Sequence, residues 1–583
     1  MKRLAAGIAL VLILAMCGST AYAQVLKSPY LIYPNNNTEM QVLWQDSSAQ
    51  TDTISWGLST SNLGQNPVQV GEWSPPSAQT SASGYVGHQH LYTITGLTPN
   101  TKYYYQVVDA KTGKPYPGSF ITAPAANATS VKFLAMGDSR TNPWFTDSAM
   151  TMMRTFYQQP GNAEYQRLAI HNGDWVSTDG ESYWTNEWFS PTYTDIRTFT
   201  ANTPLMGCKG NHEDDGGYSA YFSKYLPFPY PDLSLYPSPT SPSYQSGNPN
   251  YYNYFWSFDY GPVHFTIIDE YSDMSAGSVQ YNWVKGDLMG TTKPWKIVIY
   301  HEPSYAAGTS HTGNTAVQVF EGRGGTPDIF TENKVDLIYS GHNHSFARTG
   351  VYNSNQAAGD PISPNVPHIT SGGGGAPLNP VDVSNTVPGL QHTITAWEAL
   401  EFMAFNIQGN TLQATAYQVN NAKTNAAPAG LTISPIETLT LHHFSENVTA
   451  QAQPSISCPN GSTNCTLTLK NTSGTALTGT LNVVLDGMFY LQGVGNANSQ
   501  YGGSNTGSKV ATNAACEVTA SGTVCPYALV TNVTLVNASG SHNGEPLIQV
   551  STTGLAAGKS VSVPLQFSAP INLSKINPLV FQQ

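Results

Sequence analysis

Five short blocks in the middle of the chain place carboxylate, amide and imidazole side chains at the ends of apolar runs. They are Gly137-Asp138, Gly173-Asp174, Gly210-Asn211-His212-Glu213, His301-Glu302-Pro303 and Gly341-His342-Asn343-His344. Each alone reads as an ordinary turn or loop pair. Taken together, their mixture of oxygen and nitrogen donors suits borderline divalent and trivalent metals better than magnesium or calcium. Two metal ions about 3.5–4 Å apart hold a hydroxide between them and clamp both oxygens of an in-line displacement. A carboxylate has to bridge such a pair, and Asp174 is the best candidate. Imidazoles from His301, His342 and His344 complete the ligand shells without excess negative charge, and Asn211 offers a neutral oxygen. The alternate spacing of His342 and His344 puts both on one face of an extended segment.

Apolar runs at 131–136, 168–171, 204–208, 295–300 and 335–339 read as the buried strands that carry these blocks, with helical patterns at 146–157, 279–289 and from 316 onward. Strand–helix alternation implies an α/β layered domain. Each polar block lies just past the carboxyl end of a strand, where open α/β sheets bind ligands. Before this domain, residues 24–125 show short alternating strands with turn punctuation, the pattern of a β-sandwich. The same pattern returns from about 455 to the end, after an apparent linker at 446–454. A long loop rich in Tyr, Pro, Ser and Asn fills 214–253. The glycine run 372–375 reads as a close turn beneath the site.

The segment Leu97-Thr98-Pro99-Asn100-Thr101 followed by Tyr103-Tyr104-Tyr105-Gln106-Val107 resembles a fibronectin type III module. The ordered signature GD…GD…GNHE…H…GHNH resembles the metallophosphoesterase superfamily, and within it the purple acid phosphatase-like branch, over roughly residues 25–445. That resemblance implies an α+β multidomain fold. A four-layer αββα catalytic domain at 126–446 would be flanked by β-sandwiches at 24–125 and 447–583. It further implies that Asp138, Asp174 and His344 bind one metal, and that Asp174, Asn211, His301 and His342 bind the other. His212 would stabilise the transition state beside the substrate phosphate, and His311 would donate a proton to the leaving group.

Two departures from the family pattern stand out. Ser177 occupies the place of the tyrosine whose phenolate colours the purple enzymes, and Arg140 stands where other superfamily members carry a histidine. Arg140 is read either as a fork for a phosphate oxygen or as a salt-bridge partner at the strand end. The expected cofactors are two ions drawn from Fe, Zn or Mn. The expected reaction is hydrolysis of small phosphate monoesters by a metal-bridging hydroxide, with no covalent enzyme intermediate. A phosphodiesterase or nucleotidase on the same site is the rival enzyme. A cell-surface binding protein with a decayed catalytic domain is the rival from another class.

Composition bounds the setting. The chain has 583 residues, a net charge of −12 and only 10% charged residues, which excludes the basic face that broad nucleic-acid binding needs. Lys2 and Arg3, a short apolar run and Ala21-Tyr22-Ala23 form a secretory signal peptide over residues 1–23, with a secreted or periplasmic product. Cys17 is a weaker candidate for lipid anchoring because Met16 precedes it. No later segment is apolar enough to span a membrane. In an oxidising compartment the four late cysteines pair, and Cys458–Cys465 with Cys516–Cys525 is the favoured arrangement. Cys208 is expected as a buried thiol. Gly87-His88-Gln89-His90 copies the Gly-x-His spacing, but it falls in the first β-module with no carboxylate partner evident, and it is read as non-ligating.

Overall fold

The computed structural model describes residues 25–73, 87–214, 220–230, 254–306, 311, 313–314, 316–322, 325–349, 366–381, 393–422, 430–486, 493–496, 517–519, 522–524, 533–571, 573 and 576–583. The signal segment, Cys516 and Cys525, and most of the 214–253 loop lie outside them.

Two β-sheets packed face to face form the central domain. One holds six strands in the order Leu205–Gly207, Ala169–His171, Ser130–Met136, Glu401–Gln408, Thr411–Asn420, Thr432–His442. Its first three members are parallel, and the later three form antiparallel hairpins. The other sheet holds eight strands, with Val263–Ile267, Trp295–Ile299, Leu337–Ser340 and His368–Ser371 as its parallel middle. Alternation explains the contact between sheets, because every second residue of a strand faces the same side. Phe133 and Phe405 stack at 4.6 Å on one sheet, against Phe265 (5.4 Å from Phe133) and Tyr339 (5.8 Å from Phe405) on the other.

Helices cover the outer faces. Pro143–Gln158 starts with proline in its first turn, where the missing N–H costs nothing, and it buries Ala149, Met153 and Phe156. Val279–Gly290 is capped by the Ser278 hydroxyl, which accepts from Tyr281 N, and it packs Val284 and Leu288 onto the second sheet beside Val298 and Ile338. Both helices coincide with the expected helical patterns. The layering is therefore helix–sheet–sheet–helix, in a chain built mostly of strands.

Residues 25–73 and 87–121 form a sandwich of a three-stranded and a four-stranded sheet around Trp44, Ile54, Tyr105 and Phe120. It is fixed to the central domain by Tyr105, which donates to Ala201 O (2.9 Å), and by Tyr30, which donates to Tyr225 O (2.8 Å). A second sandwich follows residue 445, and here the linker reading is corrected. Glu446–Asn447 pairs with Asn577–Gln582, and Val448 and Ala452 are buried in that sandwich's core. A stretch with only two apolar anchors has too weak a pattern to reveal this. Gly493–Asn496, from the same late region, adds a parallel strand to the central sheet at Thr393–Glu398. Cys458 and Cys465 are disulfide-bonded as expected. Cys208 is free and buried, and burial pushes its thiol well up, so it is no nucleophile. Among the described residues no helix is long and apolar enough to cross a membrane.

His264 gives the central sheet a pH-dependent clasp. Its ring lies 2.8 Å from Asp259 Oδ1 and 2.9 Å from Asp287 Oδ2. Burial lowers its pKa, but the two carboxylates outweigh burial and raise it to about 9. A raised folded-state value means that the stabilisation is complete below pH ~6.5 and disappears as pH climbs through 9. Because Asp259 is half exposed, the amount is about 2 kcal/mol. His264→Gln is expected to lower Tm at pH 6 and to flatten the fall of Tm between pH 7 and 9.5, read by calorimetry across pH.

Candidate metal centre

The blocks meet because their strands are neighbours and because the backbone turns sharply at each strand end. Asp138, Asp174 and His342 all have left-handed backbones, with φ of 56°, 56° and 65°. Non-glycine residues rarely hold that conformation, and it bends each side chain back over the sheet edge. Glycine at the preceding position is obligatory for space. A Cβ on Gly137 would sit 1.3 Å from Asn172 Oδ1, and one on Gly210 would sit 2.1 Å from Asp174 Oδ1. The Gly-Asp and Gly-Asn pairs of the sequence are thus close-approach sites. The 372–375 glycines behave alike, with Gly372 against Asp138 and Asn343, and Gly374 against the Gly137 carbonyl, beneath the centre as expected.

All six expected ligands converge. Ligand atoms of Asp138, Asp174 and His344 lie within 4.8 Å of one another. His301 Nε2 is 3.1 Å from both Asp174 Oδ1 and Asn211 Oδ1, and His342 Nδ1 is 3.1 Å from Asn211 Oδ1. The hydrogen-bond roles test whether metal ions fit this cluster. His301 Nδ1 donates to Asn172 O (2.8 Å) and His344 Nδ1 donates to Pro377 O (2.6 Å). A ring that donates through one nitrogen to a carbonyl presents a lone pair at the other, which is how histidines are oriented toward metals. The Nε2 atoms of His301 and His344 face Asp174 and Asp138 at 3.1 and 3.5 Å, and Arg140 also reaches His344 Nε2. The raised His301 and the Arg140 guanidinium now supply the positive charge among these donors, and carboxylate, amide and imidazole groups gathered at one buried spot fit a pair of metal ions.

The electrostatics agree. Burial drives His342 to about 2 and His344 to about 3, with His301 and Arg140 respectively adding to the effect, and both rings stay neutral. Burial also acts to lower His301, but Asp174 and Asp138 lift it to about 10. Asp138 is raised well above the carboxylate range by burial and by Asp174. Asp174 is held well below it, despite burial, by His301 and its neighbours. The two carboxylates thus create a field that demands positive charge at this spot.

Arg140 lies inside the cluster. Its Nε donates to Asp174 Oδ2 (2.9 Å) and one terminal nitrogen donates to His344 Nε2 (3.2 Å). His212 Nδ1 donates to Ser177 O (2.7 Å), which leaves its Nε2 3.8 Å from Asp174 Oδ2 on the open side. The ring of His311 lies 4.2 Å from that of His342 and 5.9 Å from that of His344. Ser177 Oγ bonds Thr141 Oγ1 at 3.0 Å, beside Arg140.

Two supporting residues stand behind the ligands: Glu213, which its place directly after Asn-His already marks as a support, and Asn172, which escaped the sequence reading. Glu213, fully buried, accepts from four backbone N–H groups: Asp174 and Gly210 on Oε2, Trp175 and Val176 on Oε1, all at 2.8–3.0 Å. It clasps the Asp174 turn to the Asn211 turn. Asn172 Nδ2 donates to Ser340 O (2.6 Å) and Ser371 O (3.0 Å), tying together strand ends from both sheets. The acidic residue after Asn-His was the only hint of the first, and the second gave none. A second correction concerns His90, which does have carboxylate neighbours, Asp46 and Asp52, within 4.8 Å.

Fold and site together define a metal-dependent phosphoester hydrolase. Residues 131–346 match the calcineurin-like phosphoesterase family, and residues 27–122 match the purple acid phosphatase N-terminal domain. The chain carries these two domains in sequence, and its homologues are purple acid phosphatases. It is 26% identical to purple acid phosphatase 18 of Arabidopsis thaliana, over 58% of this chain and 68% of that one. Similarity to purple acid phosphatase 1 of Ipomoea batatas is 28%, over 58% and 72%. Fe(3+)-Zn(2+) purple acid phosphatase 12 of Arabidopsis thaliana is 25% identical over 59% and 72%, and its name records a dinuclear centre. In the fold, purple acid phosphatase PPD1 of yellow lupin superposes with a TM-score of 0.51 at 17% identity, over 71% of this chain and 74% of that one.

Proposed function

We propose that this chain is an exported phosphatase that hydrolyses small phosphate monoesters at a dinuclear metal centre. Asp138, Asp174 and His344 would hold one ion, and Asp174, Asn211, His301 and His342 the other. Iron, zinc or manganese suits the donors. When bound, the pair supplies an activated water as nucleophile and neutralises the phosphoryl charge. The observation that carries the reading is the convergence of carboxylate, amide and imidazole donors from Asp138, Asp174, Asn211, His301, His342 and His344 on one buried spot.

The chain's own groups supply the rest. His212 is held in one tautomer by the Ser177 carbonyl, and its Nε2 faces the open side, where it can bond a phosphoryl oxygen. His311 lies against the His342 ring and would protonate the leaving oxygen. Arg140 presents a planar fork, and a shift of its guanidinium from Asp174 to an incoming phosphate keeps its charge paired. In this reading residues 1–23 direct export, and 24–125, 126–446 and 447–583 are the three modules.

Paired assays on p-nitrophenyl phosphate and bis-p-nitrophenyl phosphate test the substrate class. Turnover of the monoester is expected, and turnover of the diester alone would reject it. Arg140→Ala is expected to lower kcat/KM for the monoester, and to raise the inhibition constant of inorganic phosphate, by about thirtyfold each, the worth of a charge-assisted hydrogen bond of about 2 kcal/mol. An unchanged phosphate constant would leave Arg140 as a salt-bridge partner only. The purified protein is expected to be colourless in its visible spectrum, because Ser177 offers no phenolate to ferric iron.

A further inference from the structure

The first β-sandwich contains a second cluster of ligating side chains, unconnected with the catalytic centre. Asp46 ends the strand Met40–Asp46, Asp52 begins Asp52–Gly57, and His90 lies in His88–Ile94 with Trp44 as its cross-strand partner. All three side chains are fully buried, and their ligand atoms lie within 4.8 Å of one another.

Their hydrogen bonds leave a gap in the charge balance. His90 Nδ1 lies 3.0 Å from Gly71 O and donates to it, which turns Nε2 toward the carboxylates; burial acts to lower the ring's pKa, but Asp46 above all raises it. That atom is 3.1 Å from Asp46 Oδ2, yet no hydrogen bond aligns between them, and Nε2 has no other partner. Asp46 Oδ1 is likewise buried and unbonded. The groups that do bond the carboxylates are neutral: Trp44 Nε1 to Asp52 Oδ2 (2.7 Å), Ala110 N to Asp52 Oδ1 (2.9 Å), and Gln50 Nε2 to both Asp46 Oδ2 (2.7 Å) and Asp52 Oδ1 (2.9 Å). Among the described residues no lysine or arginine forms an ion pair with either aspartate. His90 answers at most one of the two negative charges, and a carboxylate withdrawn from water without a counter-charge costs several kcal/mol.

We propose that Asp46, Asp52 and His90 form a structural binding site for one divalent transition-metal ion, with zinc as the best fit. Two donors about 2.0–2.2 Å from one tetrahedral ion stand roughly 3.3 Å apart, close to the spacing of His90 Nε2 and Asp46 Oδ2. Two carboxylate oxygens with one imidazole nitrogen favour zinc or manganese over magnesium and calcium. The Gly71 carbonyl fixes the tautomer of His90, and Trp44 stacked on its ring (5.0 Å, 6°) fixes its plane, the kind of support that ligating histidines receive. A half-turn of the Gln50 amide, whose two ends have nearly the same shape, brings Oε1 between the carboxylates as a fourth donor. The ion would join strands from both sheets of the sandwich at one corner, as a staple.

The test uses the full chain and zinc alone. Protein stripped with chelator and then saturated with zinc is expected to hold one more equivalent, by elemental analysis, than the His90→Gln variant treated identically. His90→Gln is expected to keep its phosphatase kcat/KM within twofold and to lose the zinc-dependent part of the rise in Tm. Crystals of the unaltered protein should show an anomalous peak at the zinc edge beside His90 Nε2. If that peak is missing after zinc saturation, the cluster is a buried proton-sharing pair and the proposal falls, whether or not the variant folds. The catalytic ions give separate peaks at Asp174, so failure there leaves this result readable.

Discussion

Asp174→Asn in the full-length protein is expected to lower kcat/KM on a phosphate monoester by more than about a thousandfold, on the order of 4 kcal/mol of transition-state stabilisation. Tm should fall little. The amide has nearly the same shape and keeps an oxygen that can accept from His212 N, now 3.2 Å from Asp174 Oδ1. It loses the charge that both metal positions share. Asp174 lies within reach of both expected ligand sets, with Oδ1 3.1 Å from His301 Nε2 on one side and the Asp138–His344 pair on the other. An amide does not bridge two cations, so the metal content of the centre should drop with the rate. Steady-state kinetics with elemental analysis on the same sample check this. A loss of rate smaller than about tenfold would mean that Asp174 is not the bridge.

Glu213→Gln should produce the second large effect, and through a different route. The carboxylate never reaches the metal positions, but its two oxygens satisfy four buried N–H groups. Glutamine has one acceptor oxygen and turns an NH2 group toward two of those donors. Each buried donor left unpaired costs about 1–3 kcal/mol, so the variant should lose about 4 kcal/mol of stability. The Asp174 and Asn211 turns would also drift apart, and lost outer support of a metal ligand typically reduces affinity by about 10–100-fold. Thermal melts with and without added zinc read both consequences. Unchanged melting and unchanged metal affinity would show that other contacts hold these turns together.

The residues that converge at the centre were legible in the sequence because their chemistry is local. Each sits within a few residues of an apolar strand, and glycine marks the close approach at Gly137, Gly173 and Gly210. The two flanking sandwiches were legible from alternation and turn residues. What could not be read depends on packing between distant segments. Glu213 reads as a support from its place after Asn-His, but the backbone it reaches, 174–176, is encoded nowhere near it. Asn172 occupies a strand end next to a well-marked Gly-Asp and looks like part of the turn, although its amide ties both sheets. His90 was set aside because its carboxylates lie 38 and 44 residues earlier in the chain and meet it only across the strands of the sandwich. The stretch 446–454 was taken for a linker because two buried residues, Val448 and Ala452, are too few to raise a periodic signal.

The central claim is that strand ends from two sheets hold a pair of ions joined by one carboxylate. Anomalous diffraction from crystals grown with zinc or manganese tests it most directly. Two peaks about 3.5–4 Å apart, with Asp174 between them and His301, His342 and His344 in coordination distance, are the expected result. A single peak at this centre, or a pair that Asp174 does not bridge, would contradict it.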